Sequence, residues 1–330
     1  MTSYDVMPAT ELYQPVNIED ATALAARLGR KGWLLGGGQD TYGWLKDRAK
    51  RPDAFIDLTG IDVLKGIRSL PDGGVEIGSM TTITEVAQNP LINEKFTLLS
   101  AAAKTVASPQ IRNMGTLGGN LCQDTRCWYY RRGLNCYRAG GNICYADSPE
   151  GMNREHALFG ASRCVAVTPS DTAPALVALE ATMLITSASG SRQVAAEDFF
   201  VGPATDILNM TALQADEILV SVRIPRKWAD ATFYHEKVAD RNVWDFALVS
   251  LCAAFKEDAG QITDARLVAG GVDCVPHRLR EVEQAIIGQP RNETTGEAVK
   301  VRATSAATTL NYNQFKVPLM QNLVLRALRG

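Results

Sequence analysis

The stretch from Ile111 to Asp171 constrains this chain more than any other. It opens IRNMGTLGGN, runs directly into LCQDTRC, scatters three further cysteines and then reaches VTPSD. Glycine lets a backbone adopt positive φ and approach a ligand with no Cβ in the way. Successive amide N–H groups in such a turn form a concave anion site suited to a diphosphate. Thiolates favour soft metals, so the cysteines beside that turn could hold an inorganic centre. The fold must seat an anion-cradling turn and a thiol-rich loop end to end.

A second glycine cluster, LLGGGQD at 34–40, follows the apolar run WLL. Both clusters stand at an apparent strand end in the N-terminal half. Neither fits the G-x-G-x-x-G dinucleotide pattern or a phosphate loop ending in Gly-Lys-Ser/Thr. One such cluster alone reads most simply as a tight turn. Two of them leave turn and ligand cradle in balance.

Seven cysteines occur, and five fall between Cys122 and Cys164. Their separations are 5 (Cys122 to Cys127), 9 (to Cys136), 8 (to Cys144) and 20 (to Cys164). Structural zinc sites use tighter pairs, and the common ferredoxin runs are also missed. Iron–sulfur, zinc and unligated thiols all stay open on the residues alone, with five candidates for four places. Arg126, Arg131, Arg132, Arg138 and Arg154 share the loop, either to offset an anionic cluster or as a solvated face. Trp128, Tyr129 and Tyr130 read as packing for the loop. Cys252, within ALVSLCAAF, and Cys274, after GGV, read as buried structural thiols.

At 330 residues the chain is long enough for two or three domains. A net charge of −2 gives no broad electrostatic reason to expect nucleic acid or an acidic membrane. No apolar run is long enough to span a bilayer. The start, MTSYDVMPATELYQP, shows no export signal, so a disulfide framework is not expected. These features point to the cytoplasm, with the periplasm open if a partner carries the folded chain across.

Apolar spacing over 16–30 predicts a helix capped by Asn17, and WLLGGGQDTYGWLK predicts strand, turn and helix. Phe55–Leu58 and GVEIGSM read as strands, the latter opened by Asp72-Gly73-Gly74. Residues 83–106 read as helical with Asn89-Pro90 as punctuation. CVAVTPSD and PALVALEATMLITSASG read as strand, helix, strand and turn, and ADEILVSVRIP as a strand closed by Pro225. Beyond Trp228 come long β runs, then helices near 279–288, 296–309 and 317–329. A domain boundary is expected near residue 226.

With these residues in view, the chain resembles the FAD-binding medium subunit of the molybdenum hydroxylases, the xanthine dehydrogenase family. The resemblance runs nearly end to end, through LLGGGQD, IDLTGID, VEIGSMTTI, IRNMGTLGGN, TPSD, DEILVSVRIP and EKVADRNVWDFALVS. It is most similar to the subgroup with an extra [4Fe-4S] cluster, found in 4-hydroxybenzoyl-CoA reductase and in bacterial periplasmic aromatic aldehyde oxidoreductase. GGNLCQDTRC looks like the former, and REHALFGASRC with its long gap looks like the latter.

The resemblance implies an α+β fold. A two-part FAD-binding domain of the vanillyl-alcohol-oxidase (PCMH) type would span 1–226, with the [4Fe-4S] loop at about 122–165. A smaller α+β domain of the CO dehydrogenase flavoprotein type would span 227–330. Leu34, Leu35, Gly36, Gly37, Gly38, Gln39, Asp40 and Thr41 would wrap the FAD diphosphate, with Gly37 and Gly38 giving the close approach. Gln39 stands where relatives carry threonine or serine. Thr116, Gly118, Gly119 and Asn120 match the second turn, and Gln123 stands where relatives often have a hydroxyl residue. Asp171 matches an acid on the adenosine ribose or nearby polar atoms, and Leu219 and Lys237 match positions near the isoalloxazine ring. The implied cluster ligands are Cys127, Cys136, Cys144 and Cys164, with Cys122 spare. Implied partners are a large subunit with the molybdenum cofactor, a small subunit with two [2Fe-2S] clusters, and an external carrier such as a ferredoxin. The implied role is electron transfer, with substrate chemistry on another subunit.

Two competing readings are a stand-alone FAD oxidase of the same fold and a cysteine-loop metal or redox sensor. An oxidase would want a tethering residue or base, yet His156, His235 and His277 all lie outside the glycine turns. A sensor would bind metal and no flavin.

Overall fold

The computed structural model describes residues 7–329, so the first six residues of the start read for an export signal lie outside the described residues. Three sheets organise the chain. The first is parallel and has three strands, β1 (Glu11–Tyr13), β2 (Gly32–Leu35) and β3 (Ala54–Asp57), in the order β1-β3-β2. Parallel neighbours need a crossover, and the segment with the helix Thr41–Lys46 supplies it between β2 and β3, while the helix Ile18–Leu28 carries the chain from β1 to β2. Asn17 caps that helix as expected, its side chain accepting from Asp20 N at 2.8 Å.

The second sheet is antiparallel, with β4 (Ile67–Ser69), β5 (Val75–Gly78), β6 (Thr182–Ser187), β7 (Gly190–Ala195) and β8 (Ile218–Ile224) in the order β4-β5-β8-β6-β7. The turn at Asp72-Gly73-Gly74 opens β5 as expected, with Gly73 at φ 84 and Gly74 N donating to Asp72 Oδ1. The helices Ile83–Gln88, Pro90–Lys95 and Thr97–Lys104 pack with this sheet in one large core. Asn89 ends the first of them and caps the second, with proline at the first turn, where its missing N–H costs nothing.

The third sheet holds β9 (Thr232–Val238), β10 (Val249–Asp258), β11 (Gln261–Gly270) and β12 (His277–Arg278), all antiparallel, in the order β12-β11-β10-β9. Alternate strand residues face opposite sides of a sheet. Val249, Leu251, Ala253 and Phe255 therefore join the core under the C-terminal helices, while Cys252 and Ala254 join the core of the second sheet. Both faces are covered, which is why LCAAF reads as one unbroken apolar run.

Four expectations fail locally. CVAVTPSD forms no strand: Pro169 brings no N–H, and Thr168 N donates to Asp273 O. The second glycine cluster does not end a strand but opens the short helix Leu117–Leu121, capped by Thr116. The helix expected at 296–309 begins earlier, as Glu293–Val299 under an Asn292 cap, and tightens into a 3₁₀ turn at Lys300–Thr304. Strand β4 was not anticipated, because three residues carry no period. Among the described residues, no helix is long and apolar enough to cross a membrane.

Phe255 is fully buried where β10 meets the C-terminal helices. Phe255→Ala is expected to lower unfolding stability by about 3–5 kcal/mol, read as a shifted denaturant midpoint.

Candidate functional site

Two glycine turns meet face to face. From β2 the chain passes through Gly37 (φ 76) and Gly38 (φ 71) into the helix Thr41–Lys46. A Cβ on Gly37 would lie 2.2 Å from Met114 O, and one on Gly118 would lie 2.9 Å from Ser79 O. Thr116 Oγ1 donates toward Gly36 O at 3.4 Å and accepts from Gly119 N at 3.1 Å. The glycines thus let turn pack on turn. Among the described residues, no acceptor is found for the backbone N–H groups of Gly36, Gly37, Gly38, Gln39 or Asp40. Five successive free amides make a ready anion cradle.

The cradle opens on a cavity of about 590 Å³. Leu34, Gly36, Gly38, Gln39, Asp40, Thr41, Thr116, Gly119, Asn120, Gln123 and Asp171 line it. Asn120 Oδ1 accepts from Ser170 Oγ and Thr172 Oγ1, each at 2.6 Å, which leaves its amide nitrogen free to donate. Gln39 and Gln123 turn inward on local carbonyls, Gly37 O at 3.1 Å and Asn120 O at 2.9 Å. Leu35, Gly37, Gly118, Leu219 and Lys237 do not line the cavity. Gly37 serves turn-on-turn packing against Met114, Gly118 packs on Ser79 beyond the end of β5, and Leu219 is buried in the main core.

Asp171 and Lys237 revise one expectation. Lys237 Nζ donates to Asp171 Oδ2 at 2.6 Å and to Thr105 O at 2.9 Å, and both side chains are buried. An acid at the ribose and a lysine at the ring would lie toward opposite ends of an extended FAD. The two side chains instead meet, with Asp171 on the cavity wall that also carries Trp244, Asp245 and Phe246 and Lys237 outside that lining. Trp244, at φ 76, donates its N–H to Ala107 O. Sequence reading missed these loop residues, although NVWDFALVS was in hand, because nothing local distinguishes Trp244 from a packing tryptophan.

The cysteine loop docks on the cradle. Asp40 accepts from Trp44 Nε1 at 2.9 Å, from Arg131 Nη1 at 3.1 Å and from Arg126 Nη1. Arg131 also stacks over Trp44 at 4.3 Å. Cys127, Cys136, Cys144 and Cys164 line one small cavity together with His156, Arg138 and Arg163. Burial pushes the Cys127 thiol up to about 12, with Cys164 and Cys144 adding to the shift. Among the described residues, no three His, Cys, Asp or Glu side chains form a group that could hold a single metal ion. The four thiols surround a space and do not converge on a point. Cys122 lies apart, on the wall of the larger cavity. Tyr129 and Tyr130 pack the loop, by stacking on Tyr145 and by burial against Trp44, whereas Trp128 is 57% exposed. Cys252 and Cys274 are buried and do not line this cavity, although Cys274 Sγ lies 3.7 Å from Nη2 of Arg138, which does.

Residues 8–227 match the family model described as the FAD binding domain in molybdopterin dehydrogenase, and residues 234–330 match the CO dehydrogenase flavoprotein C-terminal domain. The chain is 33% identical to the aldehyde oxidoreductase FAD-binding subunit PaoB of Escherichia coli over 275 residues, 82% of this chain and 84% of that one. It is 30% identical to the glyceraldehyde dehydrogenase medium chain of Sulfolobus acidocaldarius, covering 84% of this chain and 80% of that one. Carbon monoxide dehydrogenase from Hydrogenophaga pseudoflava shares the fold, with a TM-score of 0.77 at 24% identity over 98% of this chain and 97% of that one.

Burial pushes the Asp171 carboxyl up to about 6 against the pull of Lys237. Between its ordinary value of 3.8 and about 6, the folded chain holds a proton that the unfolded chain has released. Stability from this group is therefore full below about 4, falls as pH rises to about 6, and is level above. Asp171→Asn is expected to remove that part of the slope in denaturant midpoints measured against pH. Gly37→Ala sets a side chain against Met114 O at positive φ. It is expected to weaken FAD retention by about tenfold or more, measured as flavin content after dialysis.

Proposed function

The chain belongs to the FAD-binding subunits of the molybdopterin dehydrogenases, and from that premise we propose that it carries both FAD and a [4Fe-4S] cluster as the electron-transfer subunit of an aldehyde-oxidising molybdenum hydroxylase. It is an FAD-binding oxidoreductase subunit of the molybdenum hydroxylase and CO dehydrogenase family. The observation that carries the finer reading is the gathering of Cys127, Cys136, Cys144 and Cys164 around one cavity, next to a cradle of free amides.

In this reading the amides of residues 36–40 hold the diphosphate, and the Asn120 amide nitrogen supplies a further donor. The Asp171–Lys237 pair stands at the ring end, where the lysine cation favours negative charge. The four cysteines hold the cluster, and their thiols must lose protons to do so. Bound flavin supplies exchange between one-electron and two-electron carriers, and the cluster supplies a one-electron site. Substrate oxidation belongs to a large subunit with the molybdenum cofactor. A small subunit with two [2Fe-2S] clusters and an external carrier such as a ferredoxin complete the route. The aldehyde class is supported by two relatives, an aldehyde oxidoreductase and a glyceraldehyde dehydrogenase. Residues 1–226 are proposed as the FAD-binding domain and 227–330 as the C-terminal domain.

Cys136→Ser is expected to lose four irons per copy of this chain and retain FAD, whereas Cys122→Ser keeps both, by iron and flavin assay of the purified complex. Iron unchanged in Cys136→Ser would refute the ligand assignment.

A further inference from the structure

The charges buried around the four-thiol cavity support one more step, which rests on the cluster reading above. Of the five arginines in the loop noted from sequence, Arg138 alone is buried, its side chain 1% exposed. Arg126 and Arg131 are engaged with Asp40, Arg154 pairs with Asp240, and Arg132 is exposed. Arg138 Nη1 lies 3.5 Å from Asp124 Oδ1, and Nη2 touches Met210 Sδ at 3.1 Å and Cys274 Sγ at 3.7 Å. Its Nε has no partner among the described residues. Asp124 is already paired with Lys50 Nζ at 2.9 Å. One carboxylate therefore faces two cations, and the surplus positive charge stands on the wall of the cavity that Cys164 also lines.

His156 completes the picture from the other side. It is 4% exposed, its Nε2 lies 3.3 Å from Cys127 Sγ, and its Nδ1 has no partner among the described residues. Its backbone carbonyl accepts from Lys316 Nζ at 3.0 Å and from Asn313 Nδ2 at 3.2 Å. The C-terminal helix Lys316–Arg329 and the turn before it thus hold the ring against the thiol. With Nε2 carrying the proton, the imidazole donates to the sulfur.

A buried guanidinium is tolerated opposite negative charge and is costly without it. Four thiolates around an iron–sulfide core make a net anion, and reduction adds one more negative charge to it. A cation beside one ligand sulfur and an N–H donor on another both favour the more negative state. We propose that Arg138 and His156 are positioning residues that raise the reduction potential of the cluster, Arg138 as buried counter-charge at Cys164 and His156 as hydrogen-bond donor to Cys127. The reduction involved is one electron taken by the cluster from the flavin of the same chain, with no proton transferred to either residue.

The test is an EPR-monitored redox titration of the intact complex, with iron and FAD assayed on each sample. Wild-type complex with no iron beyond that of the small subunit's clusters would sink the cluster reading itself, which keeps that failure distinct from this one. With iron present, Arg138→Met and His156→Phe should each shift the cluster midpoint to more negative potential and leave the flavin midpoint in place. Arg138→Lys, which keeps the charge, should recover most of the shift. Loss of iron in Arg138→Met with retention in Arg138→Lys would also support the proposal, because charge and not shape is then required. An unmoved midpoint in iron-replete Arg138→Met and His156→Phe, or iron lost equally from both Arg138 variants, would overturn it.

Discussion

The carboxylate of Asp40 joins the two halves of the site. It sits at the end of the amide cradle and accepts from Arg126 and Arg131, which flank Cys127 on either side. Trp44, on the helix that leaves the cradle, donates to the same carboxylate and packs on Tyr130 of the cysteine loop. Three partners on one acid fix where the loop begins relative to the glycine turn. With that tie in place, the thiol cavity stands against the larger cavity at the glycine cradle, which Arg126 itself lines. While its backbone amide belongs to the cradle, the aspartate's side chain holds the loop in register, a role that depends on charge and partial burial.

The same logic runs through the rest of the architecture. The third sheet buries both faces, one against the FAD-side core and one against the C-terminal helices. Glu180, just before β6, gathers Lys227, Arg266 and the Trp228 indole, which fastens the third sheet to the second. Lys316 reaches from the last helix to the carbonyls of His156 and Gly271. The cysteine loop is long and has little regular structure, yet it is pinned at both ends by elements that do. Such anchoring gives an irregular loop the fixed geometry that a multi-ligand site needs.

Much of this was legible from residues alone where the signal is local. Asn17, Asn89 and the Asp72-Gly73-Gly74 turn announce their elements because caps and turns depend on a few neighbouring atoms. The cradle at 36–40 was legible for the same reason, since glycine at positive φ is a local demand. What was not legible depends on residues far apart in sequence. CVAVTPSD has strand composition, but its partners are Asp273 O and other loop atoms, so it forms no ladder. Lys237 and Asp171 were each matched to a place on the cofactor, and only the fold shows them on each other. Arg138 looked no different from its four neighbours in the loop, because burial by Met210 and Cys274 comes from other segments.

The central claim is that one chain holds a flavin and a four-iron centre side by side, with the glycine cradle and the thiol loop built as a unit. It is tested most directly by the visible and EPR spectra of the purified complex before and after dithionite reduction, with FAD and iron counted per copy of this chain. The account predicts one FAD, together with a broad cluster absorbance that bleaches on reduction and a paramagnetic signal from the reduced four-iron centre, over and above the signals of any [2Fe-2S] clusters. Flavin at full occupancy with no such additional signal, and no iron beyond that of the partner subunit, would contradict it.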